Sequence, residues 1–252
     1  MKWLKRILGG LLGLLLLITI LFVGIIVVDA AFGPDTAEFT NTTYSGSDGQ
    51  ELIGYLAEPE GDGPHPAVLL IHEWWGLNEG ITVLADALAA EGYVVLAPDA
   101  YRGQVTAQFP RALWLRLTTP EEQVFADVDA SLEYLMGMDN VDTTRLASMG
   151  FCFGGGHSLQ LGMRQSEDLA LTIIYYGAVV TNPELLRPLT DGQGVLGVFA
   201  GEDRSIAVDD VLEFETALNT LAIPNEITIY EDVGHAFLTE ENYNEPGAAM
   251  DA

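Results

Sequence analysis

Hydrophobic and polar positions divide the chain into one long apolar run and a series of short ones. Residues 7–28 carry no charged side chain. A helix over that run is about 33 Å long, enough to cross a bilayer core of about 30 Å. Beyond it the apolar stretches are brief. Residues 51–57 alternate like an edge strand. Residues 67–71, 93–97, 146–149, 171–176, 195–200 and 227–230 read as further strands. Residues 80–90, 157–164 and 209–221 have helical periodicity. Thr118 or Thr119 is placed to cap one more helix, with Pro120 in its first turn, running to about residue 138. Strands alternating with helices predict an α/β fold with a mostly parallel sheet covered on both faces. The expected organisation is a flank at 1–6, a span at 7–28, a linker at 29–38 and one domain at 39–252.

Lys2, Lys5 and Arg6 precede the span. Positive charge there keeps the N-terminus in the cytoplasm and places the residues beyond the span outside. Secretory apolar regions run only ~7–15 residues, so the expectation is an uncleaved single-pass anchor in the cell membrane. Val28-Asp29-Ala30 also allows the alternative of a cleaved signal and a secreted domain. After the span, all 37 acidic residues face seven arginines and no lysine, a formal charge of −30. Phosphate contacts need Lys and Arg, so nucleic acid is excluded as a partner. Such a surface suits a high-salt medium that screens self-repulsion.

Residues 150–156 read G-F-C-F-G-G-G, which contains G-x-C-x-G around Cys152. This is the spacing of a nucleophile elbow, with cysteine where serine is usual. A nucleophile on a tight strand-to-helix turn has strained backbone angles, and flanking glycines let neighbouring segments approach. The helix N-terminus favours a thiolate. Alone, Cys152 is as well explained as a small buried hydrophobe. Asp203, after the strand at 195–200, and His235, after the strand at 227–230, change that balance. The order nucleophile, acid, histidine is that of α/β-hydrolases. His235 would take the proton from Cys152 and return it to the leaving group, and Asp203 would orient the imidazole. His65, His72, His157 and His235 form no i, i+4 pair, and no G-x-G-x-x-G follows a strand. No metal and no cofactor is implied.

The strand at 67–71 ends in H-E-W-W-G. Together with Y-S-G-S-D-G, A-P-D-A-Y-R-G, G-F-C-F-G-G, G-E-D and G-H-A-F, it gives six motifs in order. On these the chain resembles the dienelactone hydrolase family, a cysteine branch of the α/β-hydrolases, over roughly residues 43–243. The resemblance implies an α/β-hydrolase fold. It gives Glu73 control of the nucleophile's ionisation and makes the amides of Trp74 and Phe153 an oxyanion hole. It assigns Arg102 to the grip on a substrate carboxylate, but no arginine follows His235, so neutral substrates are expected. The family's last helix should start where this sequence stops, at G-A-A-M-D-A, so a truncated or unusual C-terminus is expected.

The expected function is therefore hydrolysis of a small-molecule ester or lactone through a thioester on Cys152. Trp74, Trp75, Tyr101 and Trp114 are candidates to line an apolar acyl pocket, Trp114 at least as readily a core residue. Two alternatives stay open, a non-catalytic binding module of an envelope complex and a thiol redox sensor.

Overall fold

A computed structural model gives the fold and describes residues 2–238. Its centre is β3 (His65–Ile71), β4 (Val94–Pro98) and β5 (Val141–Phe151). Every residue of β4 is buried, as are the last five of β3. Near-continuous apolar sequence is what a parallel strand covered on both faces requires. Along β3 the alternation of side chains divides two cores. Leu69 and Ile71 pack with Val124, Val128 and Leu132 on one face, while Val68 and Leu70 pack with Ile81 and Leu84 on the other. Burying one such aliphatic side chain stabilises the fold by about 1.5–3 kcal/mol.

Two strands at one edge, β1 (Thr42–Ser45) and β2 (Glu51–Ala57), run antiparallel. Three more, β6 (Leu171–Tyr175), β7 (Gly194–Ala200) and β8 (Asn225–Tyr230), extend the parallel part. The order across the sheet is β1-β2-β4-β3-β5-β6-β7-β8. The alternating run at 51–57 is thus not the edge. The four-residue β1, too short to stand out as a pattern, covers it.

The helices are α1 (Lys2–Phe32), α2 (Glu79–Ala90), α3 (Phe109–Thr118), α4 (Glu121–Met136), α5 (Phe153–Arg164), α6 (Pro183–Leu186) and α7 (Val208–Thr220). α1 is long and apolar enough to span a membrane, and its most apolar window is unburied. It continues past the expected boundary at residue 28 because Asp29 has partners in the domain. Its carboxylate accepts from Thr106 Oγ1 at 2.6 Å and pairs with Arg111 Nε at 3.4 Å. The expected linker is therefore helical to Phe32. α3 was not expected, and it displaces the expected cap of α4. Thr118 belongs to α3 and bonds back to the Trp114 carbonyl, and the extended Pro120 is the cap residue. The expected truncation of a C-terminal helix falls outside the described residues.

Candidate functional site

In a parallel sheet the loops at the carboxyl ends of the strands share one side, where ligands bind. Glu73 follows β3, Cys152 follows β5, Tyr176 follows β6, Asp203 follows β7 and His235 follows β8. Cys152 sits between β5 and α5 with φ 51° and ψ −111°. A non-glycine residue there stores about 1–3 kcal/mol of strain. The turn closes because Gly150 and Gly154 have no side chains. A Cβ on Gly150 would strike the Gly154 carbonyl, and one on Gly154 would strike the Ile71 carbonyl.

The three residues expected to act together are in contact. Cys152 Sγ lies 3.1 Å from His235 Nε2, and His235 Nδ1 lies 2.6 Å from Asp203 Oδ2. The other Asp203 oxygen accepts from the amides of Ser205 and Ile206, at 2.7 and 3.1 Å. Those bonds fix the carboxylate, whose side chain is buried. The carboxylate favours the tautomer with hydrogen on Nδ1, which leaves Nε2 to accept from the thiol. Tyr176 stacks edge-on against the imidazole at 5.3 Å.

Burial pushes the Cys152 thiol up to about 12, and the nearby Glu73 charge adds to the effect. The expected thiolate at the helix N-terminus is therefore overridden. Loss of water around the sulfur outweighs the amide at Phe153, which lowers the value. Glu73 is raised to about 7 by its own burial, against the lowering effect of His235. Its backbone is held by His72, whose Nδ1 lies 2.6 Å from the Glu73 carbonyl while Nε2 accepts from the Ala100 amide. Burial holds His72 down to about 4, so the ring is a neutral strut between the ends of β3 and β4.

A cavity of about 500 Å³ opens onto Cys152 and His235. Glu73, Trp74, Trp75, Phe153, Tyr176 and Arg116 contribute to its wall. Among the described residues, no turn or loop carbonyl accepts a hydrogen bond from the amide of Trp74 or Phe153. Phe153 is the first residue of α5, so its N–H has no partner within the helix.

Other expected residues are elsewhere. Arg102 Nε and Nη2 bind both oxygens of Asp127, at 2.8 and 2.7 Å, while Nη1 and Nη2 reach Gln50 and Asp48. Held by these bonds, it ties the β1–β2 turn to α4 and is absent from the cavity wall. Tyr101 is buried behind Phe153, at 5.4 Å ring to ring, and does not line the cavity. Trp114 is neither core nor cavity wall but exposed on α3. Sequence reasoning missed Arg116 and Tyr176. The sequence marks Arg116 only by the lack of an acid three or four positions away, which Arg111 and Arg204 share. Its guanidinium lies 5.5 Å from the centre of the Phe153 ring. Among the described residues, no group of three His, Cys, Asp or Glu is placed to hold a metal.

The model of the "Dienelactone hydrolase family" matches residues 52–252. The chain belongs to the dienelactone hydrolase family. A candidate carboxymethylenebutenolidase of Salmonella typhi is 33% identical over 217 residues, covering 81% of this chain and 80% of the relative. One from Synechocystis is 32% identical over 216 residues, covering 79% and 87%. Among solved structures, a candidate dienelactone hydrolase of Klebsiella pneumoniae superposes with a TM-score of 0.70 at 27% identity. That match covers 83% of this chain and 97% of the other. Membership makes this dienelactone hydrolase-like chain an enzyme of the ester- and lactone-hydrolysing type, on an α/β-hydrolase fold.

Proposed function

We propose that the chain is an exported hydrolase of esters or lactones, anchored by α1, with Cys152, His235 and Asp203 as its catalytic triad. The domain begins near residue 39, and the span at 7–28 holds it on the extracytoplasmic side of the cell membrane. The observation that carries this reading is the unbroken line from Cys152 Sγ through His235 to Asp203, facing a cavity large enough for a small acyl group. Relatives named for carboxymethylenebutenolide hydrolysis favour a lactone among the substrates.

The steps follow from the geometry. His235 Nε2 removes the thiol proton as Cys152 sulfur bonds to the substrate carbonyl carbon. The carbonyl oxygen becomes an oxyanion, which the Trp74 and Phe153 amides receive. The carbon–oxygen bond to the leaving alkoxide breaks, and His235 returns the proton to it. A water, deprotonated by His235, then attacks the thioester, releasing the carboxylic acid and restoring the thiol. The neutral resting thiol also favours hydrolysis over redox sensing, because oxidation follows thiolate character.

The test is an ester and lactone panel on the full chain in membranes, alongside Cys152→Ala and alkylated protein. Parallel loss of activity is expected, and full activity in the alanine variant refutes the nucleophile. A reporter fused after Glu38 tests topology. Activity only outside the cytoplasm is expected, and a cytoplasmic signal reverses the orientation.

A further inference from the structure

The surface beside the cavity is unlike the rest of the domain. At 100° per residue, Phe109, Pro110, Leu113, Trp114 and Leu117 fall within an arc of about 140° on α3. Phe109, Trp114 and Leu117 are 55, 53 and 73% exposed. No acid occurs between Asp99 and Glu121, in a chain with 37 of them. The opposite side of α3 docks on the end of α1, where buried Arg111 pairs with Asp29 and reaches the Ile26 carbonyl at 3.4 Å. Ile26 and Asp29 bracket the end of the apolar run, which is where a spanning α1 leaves the bilayer core. The ion pair therefore sets α3 at that level. An exposed tryptophan on an uncharged face matches the chemistry of the membrane–water boundary. From this face the cavity is one ring away, since Phe109 packs edge-on against Trp74 at 5.5 Å and Trp74 lines the cavity.

We propose that the apolar face of α3 lies in the outer-leaflet interface, so that the cavity opens at the membrane surface and takes a lipophilic ester or lactone from the lipid phase. This rests on the anchored-hydrolase reading above. The acid-free α3 removes the charge repulsion that the remainder of the domain would meet at a lipid surface.

The test uses the full chain in phosphatidylcholine vesicles, with Cys152→Ser as background. An environment-sensitive fluorophore is placed on Leu117→Cys, on Val23→Cys in α1 and on Thr220→Cys on α7. The expected result is quenching at 117 by shallow lipid-borne quenchers, at 23 by deep ones, and none at 220. Quenching at 23 without quenching at 117 overturns the placement of α3 and leaves the anchor standing. A blue-shifted but unquenched probe at 117 means that protein covers the face, and also overturns it. No quenching at 23 removes the anchor reading itself. Delivery from lipid is tested with Leu117→Glu and an intact Cys152. Hydrolysis of a vesicle-bound long-chain ester should fall ~10-fold, with a water-soluble short-chain ester within about two-fold. Equal effects on both overturn the delivery.

Discussion

Cys152 Sγ and His235 Nε2 lie 3.1 Å apart although 83 positions separate them in sequence. The contact exists because β5 and β8 both point their carboxyl ends to the same side of the sheet. With the thiol held up to about 12, the proposed mechanism relies on that imidazole to take the sulfur's proton. Cys152→Ala and His235→Gln should each lower kcat/KM by at least ~10³-fold, and the double variant should be little worse, because triad members act as a unit. Steady-state hydrolysis, with thermal melting to verify folding, decides this. Additive losses would mean that the two residues act separately.

Glu73 gives a prediction about stability. Burial raises its folded-state value from 4.5 to about 7, so between those values the folded protein holds more protons than the unfolded chain. Its contribution to stability therefore falls as pH rises through that window. Glu73→Gln should melt progressively higher relative to wild type from pH 4.5 to 7, with a constant gain above. Comparing the two melting curves at each pH cancels the other titrating groups. A gain that shrinks with pH would contradict the assigned shift.

Gly154→Ala tests how the elbow is packed. The added methyl would meet the carbonyls of Ile71 and His72, which belong to backbone and cannot swing aside. Overpacking of this kind costs about 1–3 kcal/mol or more. Gly137→Ala, where the nearest atom is 3.4 Å away, should be close to neutral. Denaturant melts of both proteins would show the contrast, and equal stability would dismiss the steric account.

Asp29 joins the two parts of the chain. Asp29→Ala would leave the Arg111 guanidinium buried beside α1 without its carboxylate, a change worth up to about 3–5 kcal/mol in a buried pair. Pairing it with Arg111→Met should recover most of the loss, since an apolar replacement removes the stranded charge. Limited proteolysis near Gly33 reads the effect locally. Cleavage unchanged in Asp29→Ala would show that the junction holds without the ion pair.

What was legible in the sequence is what local pattern encodes. β3, β4 and β7 are short apolar runs, and the residues after β3, β5, β7 and β8 stood out by type and by their place at strand ends. Illegible was whatever depends on neighbours distant in sequence. Arg102 lies beside a matching motif, yet Asp127 on α4 captures its guanidinium, and no local spacing announces that pair. β1 is visible only through its pairing with β2. α3 leaves no amphipathic signature of a core helix, because Phe109, Trp114 and Leu117 face outward. The raised Cys152 thiol likewise comes from the cavity walls rather than from the elbow that the motif describes.

Arg116 alters the expectation about substrate charge. The absence of an arginine after His235 and a formal charge of −30 beyond the span pointed to neutral substrates. The cavity wall nevertheless carries one guanidinium that no carboxylate pairs among the described residues. The two influences differ in range. The net field acts on approach and is screened beyond about 8–10 Å at physiological salt, whereas Arg116 acts at contact. In a matched pair of esters, the neutral one should be favoured at low salt, and the difference should narrow as salt rises. Arg116→Gln should lower kcat/KM for the carboxylate-bearing ester ~10-fold at either salt concentration, the scale of one charge-assisted hydrogen bond, and leave the neutral ester within about two-fold. Equal losses for both esters would make Arg116 part of the wall that supports Phe153, with no hand in selecting charge.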